Sequence, residues 1–449
     1  MPLRPLPAPA DADLTARVHA ILDARLERNA AHPVAVALSG GGDSMALMAL
    51  AADWAARRGR RLLALTVDHG LNPDSPGWSE TARRAAESLG AEWRGLDWEG
   101  EKPIAGLTAA ARRARHALIA DAARAAGARV VMFAHTAGDL AESAWMQAEG
   151  STLGTTRPWS PSPAWPEGRG LMLLRPLLDE RRETLRDSLT ARGLAWIEDP
   201  ANEDLRFGRS RARAALAGAP LSSCRDPAVR ATGAAPATSD AGTARLARTI
   251  DHRALAMTLV CVGGGEARPR GDRIARLIAR LTSGEDFVAV LCGARIVADG
   301  ADVIVMREAG EFARKSLAPL PLSPGVAVVW DGRFEIETDE PGWSVAAAAG
   351  RLSGLPQNDR AALNALPPAA RGALPVLIRD GSNAPVLAWR AARVWALVGE
   401  RLALALDQTT HERDLAAAMH GVTPPDPLFS TETFKTGVGE DPAGKPRTA

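Results

Sequence analysis

The stretch Val34-Ala35-Val36-Ala37-Leu38-Ser39-Gly40-Gly41-Gly42-Asp43-Ser44 runs directly into Met45-Ala46-Leu47-Met48-Ala49-Leu50. An apolar run of strand length meets a glycine-rich turn carrying two hydroxyls and one carboxylate. Apolar residues then recur at helical spacing as far as Trp54. The pattern predicts a strand, a tight loop and a helix. Three glycines let the loop's N–H groups approach a ligand closely, and the following helix directs its partially positive end at the same point. Phosphate or pyrophosphate suits such a place. The loop lacks the Lys-Ser/Thr ending of a kinase-type phosphate loop, which argues against transfer of a terminal phosphoryl group. An ordinary glycine-rich strand-to-helix turn is the plainer alternative.

Working outward, Leu14, Val18, Ile21, Leu22 and Leu26 recur at steps of three and four residues and predict an amphipathic helix over residues 11–28. Residues 61–69 read as a buried second strand ending in Asp68 and His69, with a turn at 70–73. Strand, helix and strand at this spacing imply a parallel sheet, in which ligands bind beyond the carboxyl ends of the strands. Asp68 and His69 therefore face the crevice of Ser39 to Ser44, either as nucleotide contacts or as ordinary loop groups. A helix over 79–89, a third strand over 93–98 and an Ala/Arg helix over 108–126 continue the alternation. In the last of these, Arg112 and Arg115 lie one turn apart, where two guanidiniums can hold phosphate oxygens or form a solvated basic face. A fourth strand over 129–134 ends in His135. The helix that begins near Asp139 places Asp139 and Glu142 on one face of its first turn. Such a pair suits Mg²⁺ or an amine, although acidic residues there also simply complement the helix dipole.

The chain has 449 residues, enough for two or three domains, and 24% charged residues, as in ordinary globular proteins. Lys+Arg 54 against Asp+Glu 53 gives a net charge of +1, so any nucleic-acid footprint has to be local. The basic residues are nearly all arginine and tyrosine is absent, so stacking would fall to Trp, Phe, His or Arg. Cys224, Cys261 and Cys292 lie far apart with no Cys-x-x-Cys pair, which suggests neither a disulfide framework nor a zinc or iron–sulfur centre. No stretch reads as a signal peptide or a membrane span, which predicts a cytoplasmic protein without a membrane partner.

Taken together, these motifs carry a resemblance. Ser-Gly-Gly-Gly-Asp-Ser is similar to the pyrophosphate loop of the ATP pyrophosphatases, which cleave ATP between its α and β phosphates. That loop, Val67-Asp68-His69-Gly70-Leu71, the Ala-Ala-Arg-x-x-Arg segment and Ala134-His135-Thr136-Ala137-x-Asp139-x-x-Glu142 resemble the tRNA(Ile)-lysidine synthase family in order and spacing. The likeness continues in Leu174-Arg175-Pro176-Leu177-Leu178, in Trp196-Ile197-Glu198-Asp199-Pro200-Ala201-Asn202-Glu203-Asp204 and in Arg206-Phe207-x-Arg209. A looser likeness covers 284–308 and 330–334, and none is seen from Met419 onward. Gly138 stands where many members have a second acidic residue, His116 replaces a tyrosine, and Gln147-Ala148-Glu149-Gly150-Ser151 lacks an arginine before its Gly-Ser. Residues 155–170, rich in Pro and Trp, replace a shorter turn and read as a mobile surface loop.

The resemblance implies a specific chemistry. The wobble cytidine of a minor tRNA(Ile) with a CAU anticodon would be adenylated on its C2 oxygen by ATP, expelling pyrophosphate into the loop at Ser39, Gly40, Gly41, Gly42, Asp43 and Ser44. Free L-lysine would then displace AMP. Mg²⁺ would be held by Asp43 with Asp139 or Glu142, and either carboxylate would take the lysine amine, with His135 as a supporting or proton-transfer partner. Arg112 and Arg115 would bind phosphates or the adenylated intermediate. Arg206, Arg209, Arg211 and Arg213 form a basic run suited to the tRNA backbone, or a solvated helix face. A homodimer is left open.

The rivals are a tRNA thiolase of the same superfamily, which would need paired cysteines, and a GMP or NAD synthetase, which would lack the Trp-Ile-Glu-Asp-Pro block. A catalytically decayed tRNA-binding relative is the third. Intact Asp43, His135, Asp139 and Glu142 argue against decay.

The expected fold is α/β. A parallel-sheet nucleotide-binding domain of the adenine nucleotide α-hydrolase-like kind spans 1–216, and a linker rich in Ala, Pro, Gly, Ser and Thr spans 217–244. A smaller α+β accessory region for tRNA binding spans 245–418, and a disordered tail spans 419–449. Within the accessory region, 245–281 should be helical around Gly263-Gly264-Gly265, and 288–292 should form a hairpin with 303–305. Further strands, then helices, should run from 325 to 405. Residues 439–445 superficially copy a kinase phosphate loop but follow no strand and precede Pro446, so they are rejected as a nucleotide site.

Overall fold

The computed structural model describes residues 9–151, 156–163, 170–199, 206, 208–217, 236–269, 271–314, 317–382 and 384–419. The chain divides into two compact units. One comprises Met1–Val229 with Asp407–His420, and the other comprises Arg230–Leu406 with Gly421–Ala449.

In the first unit the elements follow in order: α1 (Pro9–Arg25), β1 (Val34–Ala37), α2 (Gly42–Arg58), β2 (Leu62–Asp68), α3 (Ser75–Ser88), β3 (Glu92–Asp97), α4 (Leu107–Ala125), β4 (Val130–Met132), α5 (Ala137–Ala148), β5 (Trp159–Pro161), β6 (Met172–Leu174), α6 (Arg182–Ala191) and α7 (Gly208–Ala215). They form a six-stranded sheet in the order β3-β2-β1-β4-β6-β5. All neighbours run parallel except β5, which pairs antiparallel with β6. The apolar run 34–38 is the centre of this sheet because it has no polar side to give to water: Val34, Ala35 and Val36 are fully buried. Helix α1 docks through Leu14, Val18 and Leu22, with Leu26 just past its end, all essentially inaccessible, each worth about 1.5–3 kcal/mol of apolar burial. From β1 the chain steps to β2 and β3 on one side, then returns to β4 and β6 on the other. The strand order therefore reverses between β1 and β4, the topological switch point where such sheets bind ligands.

Two expectations for this unit are corrected. Part of the segment read as a mobile loop, 155–170, is β5, anchored by the buried Trp159, whose indole N–H donates to the Thr409 carbonyl (3.0 Å). Residues 407–418, read as part of the accessory region, belong with the first unit. The reason is Glu412, in the helix Glu412–Met419. Its fully buried carboxylate accepts from Arg60 Nη1 (2.8 Å) and Nη2 (2.9 Å) and from the Glu27 N–H (2.8 Å), and it lies 3.0 Å from His32 Nε2. A single Glu in a polar-looking terminus gives no sequence sign of so distant a partner.

The second unit is α+β, as expected. Strands β7 (Ala237–Thr238), β8 (Ala244–Leu246), β9 (Phe287–Leu291), β10 (Ala294–Asp299) and β11 (Asp302–Arg307) form a sheet in the order β7-β8-β11-β10-β9. Helices α8 (His252–Val262) and α9 (Gly271–Thr282) share a core with it. The expected linker thus ends early, since β7 and β8 already pair before residue 247. Strand β8 also replaces the start of the expected helical run, and the hairpin is corrected too. Strand β9 pairs with β10, and β10 with β11, so 288–292 and 303–305 flank a strand between them. The turn that creates β10 is Cys292-Gly293, both at positive φ (54° and 76°), the two-residue geometry of a tight hairpin, here with a cysteine where Asn or Gly is usual. Two smaller antiparallel sheets follow, one of Leu320–Pro321, Trp343–Ala347, Pro375–Arg379 and Val386–Leu387, the other of Val328–Trp330, Phe334–Glu337 and Arg393–Ala396. Short helices are interleaved among these strands rather than gathered after them. The tail motif at 439–445, the 200–204 part of the Trp-Ile-Glu-Asp-Pro block and Phe207 lie outside the described residues. No helix among the described residues is long and apolar enough to cross a membrane.

Candidate active site

The loop after β1 is shaped from inside and braced from outside. Gly40 sits at φ +84°, a conformation that side chains other than glycine's resist. Ser44 Oγ donates to the Gly41 carbonyl (2.9 Å) and lies 3.1 Å from Ser39 Oγ, and the Ser39 N–H donates to Ser44 Oγ (3.3 Å). Helix α2 begins at Gly42, so its first-turn N–H groups, which have no partner within the helix, open onto the loop. The brace is the Trp196-Ile197 pair. The Ile197 N–H donates to the Gly40 carbonyl (2.9 Å), and a Cβ on Gly40 would fall 2.5 Å from Ile197 Cδ1. A Cβ on Gly42 would meet Trp196 Cδ1 at 3.4 Å. Trp196 and Ile197, at the start of the Trp-Ile-Glu-Asp-Pro block, therefore form the wall behind the loop.

Strand β4 runs parallel to β1, pairing Ala35 with Val131 and Val36 with Met132, so His135, Asp139 and Glu142 emerge at the same sheet edge as Ser39 to Ser44. Asp139 is the N3 residue of a capping box: its Oδ2 accepts from the Thr136 N–H and hydroxyl, both at 2.9 Å. Its Oδ1 faces Arg182 Nη2 (3.4 Å) and Arg209 Nη1 (3.3 Å). Glu142 Oε1 accepts from Arg182 Nη1 (3.2 Å) and Arg213 Nε (3.0 Å), while its Oε2 is buried without a hydrogen-bond partner. Asp43 Oδ2 accepts from Arg182 Nε (2.8 Å). Burial raises the Asp43 pKa, outweighing the pull of Arg182. Burial also pushes Asp139 up, but Arg182, the Thr136 N–H and Arg209 pull the other way, and its carboxyl lies below the ordinary range.

The three carboxylates expected to hold a metal are thus brought together, but around a guanidinium. Among the described residues, the only trio of His, Cys, Asp or Glu side chains whose ligand atoms all lie within 4.8 Å is Glu27, His32 and Glu412, where Arg60 already supplies the positive charge.

His135 is half-buried in a stack. Phe133 lies between it (ring centroids 5.9 Å) and His116 (5.2 Å). Burial and then the Arg175 charge hold the His135 pKa down to about 3, so its ring is neutral at physiological pH. Arg175 Nε donates to His135 Nδ1 (3.3 Å), so that nitrogen is an acceptor and the ring proton sits on Nε2. His135 therefore offers an N–H rather than a base. His116, the substitute for a tyrosine, is buried with both ring nitrogens unpartnered and is held neutral, its pKa down to about 2, by burial and Arg115. It fills space as a ring.

Arg112 and Arg115 face the crevice rather than forming a fully solvated surface. Burial and the nearby Arg209 lower the Arg112 pKa, and burial with Arg112 and Arg209 brings Arg115 down to about 10. Arg115 Nε is buried without a partner. Arg175 is likewise held down to about 10, by burial and then Arg112 and Arg157. Crowded, half-desolvated guanidiniums of this kind are stabilised by an anion. Asp68 Oδ1 is engaged in the turn after β2, accepting from the Gly70 N–H and the Ser75 hydroxyl, both at 2.7 Å. His69 packs edge-on to Trp98 (5.9 Å), and burial and Arg115 lower its pKa.

Sequence reasoning missed Arg182 and gave Arg175 no role. One signal for Arg182 was present: a cation at the first position of α6 opposes the helix dipole and needs another reason to be there. The basic run at 206–213 divides. Arg209 and Arg213, four apart, turn to the carboxylates of α5 rather than outward, while Arg211 Nη1 donates to the Arg206 carbonyl (2.9 Å). Gly138 has no steric need to be glycine, since a Cβ would meet only Thr136 Oγ1 at 3.5 Å. The two described cysteines, Cys261 and Cys292, both lie in the second unit.

The family model described as a PP-loop domain matches residues 13–219. A tRNA(Ile)-lysidine synthase of Caulobacter vibrioides is 47% identical over 426 residues, covering 94% of this chain and 97% of that protein. One of Hyphomonas neptunium is 37% identical, covering 76% of this chain and 96% of that protein. Among solved structures, a U34-tRNA thiolase from Methanococcus maripaludis is similar at a TM-score of 0.38 and 17% identity, covering 46% of this chain and 72% of that one.

Proposed function

Because the chain belongs to the tRNA(Ile)-lysidine synthase family, we propose that it joins free L-lysine to C2 of the wobble cytidine of tRNA(Ile) with a CAU anticodon, using ATP and releasing AMP and diphosphate. The setting is the cytoplasm, where tRNA, ATP and free lysine meet. The observation that carries this reading is the meeting, at one switch point, of an anion-binding loop, crowded guanidiniums and a buried carboxylate oxygen without a partner.

The steps follow from these groups. An oxygen on an aromatic ring is a poor leaving group, so the cytosine C2 oxygen first attacks the α-phosphorus of ATP and diphosphate departs. The N–H groups of the 39–44 loop and the first turn of α2 receive that leaving charge. Arg112 and Arg115 hold the α-phosphate of the adenylated base, and His135, neutral and fixed by Arg175, offers its Nε2–H as a donor. The lysine amine then attacks C2, its proton passes to a carboxylate, and AMP leaves. Glu142 is the best candidate to take the amine, because its buried Oε2 lacks the partner an ammonium would supply.

Mg²⁺ fits as a companion of ATP. Such an ion takes one or two carboxylates and fills its shell with phosphate oxygens and water. Asp43, at the mouth of the loop with only Oδ2 engaged by Arg182, would hold it, whereas both oxygens of Asp139 are already occupied and Glu142 Oε2 is kept for the amine. Bound there, it would neutralise charge on the departing diphosphate.

The test is incorporation of labelled lysine into unfractionated tRNA with ATP and Mg²⁺, with Asp43→Ala alongside. Incorporation that falls by about 100-fold or more in the variant supports the reading. Binding of tRNA without incorporation would favour a decayed relative, and incorporation of labelled sulfur would favour a thiolase.

A further inference from the structure

We propose that Arg182 is a built-in stand-in for the substrate amine: it occupies the carboxylates of the site until nucleotide phosphates draw it away, so that lysine binds well only after ATP. This rests on the lysine-ligation reading above and adds an order of binding to it.

The geometry is that of one fork serving three acceptors. Nε, Nη1 and Nη2 of Arg182 go to Asp43 (2.8 Å), Glu142 (3.2 Å) and Asp139 (3.4 Å), of which Asp43 and Asp139 lie in the first turns of α2 and α5 and Glu142 in the second turn of α5, one turn later than the sequence suggests. The bond to Asp43 is of normal length, and the two to α5 are long. Arg182 therefore sits nearest the residue fronting the phosphate loop and only loosely on the pair suited to an amine. Its side chain is 23% exposed, unlike the enclosed Arg175, so it has room to swing. Its position at the first residue of α6 denies it any help from the helix dipole.

A polyphosphate in the 39–44 loop would lie beside this guanidinium. Arginine pairs with phosphate oxygens through two parallel N–H bonds, a better match than one bond to each of three carboxylates. When the fork moves to phosphate, Glu142 and Asp139 lose a counter-charge and become able to take an ammonium. Without nucleotide, lysine has to share the same carboxylates with Arg182. ATP and lysine are thereby coupled in binding, although their charged groups occupy different parts of the crevice.

The test is titration of the full-length protein with L-lysine, with and without the Mg²⁺ complex of α,β-methylene-ATP, which cannot be opened between its α and β phosphorus atoms. In the parent, lysine should bind about 10-fold or more tightly with the analogue present. In Arg182→Met, lysine should bind without nucleotide nearly as tightly as the parent does with it, and the coupling should fall to about 1. Arg182→Lys keeps the charge without the fork and should give an intermediate coupling, which also serves if the Met variant fails to fold. Equal lysine affinity with and without analogue in the parent overturns the proposal. So does unchanged coupling in the variants, which would make Arg182 a structural strut. Labelled-lysine incorporation by the parent is measured in parallel. Its absence would count against the ligation reading itself, whereas incorporation with unaltered coupling counts against Arg182 alone.

Discussion

Gly40→Ala probes whether the wall behind the phosphate loop sets the loop's shape. At φ +84° an alanine is strained by about 1–2 kcal/mol. Its Cβ would also lie 2.5 Å from Ile197 Cδ1, and relieving such overpacking costs about 1–3 kcal/mol. The clash is with a single terminal methyl group, and Ile197→Val removes that methyl at a cost of about 0.5–1.5 kcal/mol by itself. The double variant keeps the backbone strain but loses the clash. It should therefore be more stable than the sum of the two single changes by about 1–3 kcal/mol, a coupling typical of residues in contact. Native-state hydrogen exchange on peptides covering 34–58 reads the local opening free energy of the loop and α2, and calorimetric ATP affinity should follow the same order. Two single effects that add within about 0.5 kcal/mol would refute the reasoning, because independent sites behave that way.

Two further outcomes are expected. Glu412→Ala leaves Arg60 buried and uncompensated, so it should lower the stability of the first unit by about 3–5 kcal/mol in urea unfolding. Replacing both partners, as Glu412→Met with Arg60→Met, should recover much of that loss, and no recovery would mean the pair is incidental. His135 is held down to about 3 by burial and Arg175, against 6.5 for the free side chain. Between those values the unfolded chain binds a proton that the folded chain refuses, so stability is lost as pH falls from about 6.5 towards about 3. His135→Asn should remove up to about 1.4 kcal/mol per pH unit of that slope, seen as a flatter dependence of Tm on pH. An unchanged slope would mean that His135 is protonated in the fold.

What the sequence disclosed was local and periodic; what it hid was distant. The 34–50 stretch gives a strand, loop and helix because hydrophobic pattern and glycine placement act within a few residues. His135, Asp139 and Glu142 were found because a strand end and a helix start are legible, and the switch point then brings them to Ser39–Ser44. Arg182 was missed, and the carboxylate pairing of Arg209 and Arg213 was not read, because a guanidinium on a long side chain can face water or a carboxylate with the same local pattern. Strand β10 escaped because its turn uses Cys292 at positive φ, which composition does not flag. Glu412 was unreadable for another reason: its partners Arg60, Glu27 and His32 lie more than 350 residues away, and nothing local records such a pairing.

The crevice must receive a polyanion and a cation, and its two sides are prepared unequally. Arg115 and Arg175 are pressed on by other arginines, and burial lowers both, so this side gains directly when an anion arrives. On the other side Asp43, Asp139 and Glu142 already face Arg182, Arg209 and Arg213, so an incoming amine meets carboxylates whose charge internal cations already offset. Attraction between unit charges about 4 Å apart is several-fold stronger in such a half-buried place than in water. The imbalance therefore favours nucleotide first and lysine second. Adenylation has to precede attack on C2, because the unmodified oxygen does not leave. On this proposal Arg182 keeps the amine out until there is a leaving group for it to displace.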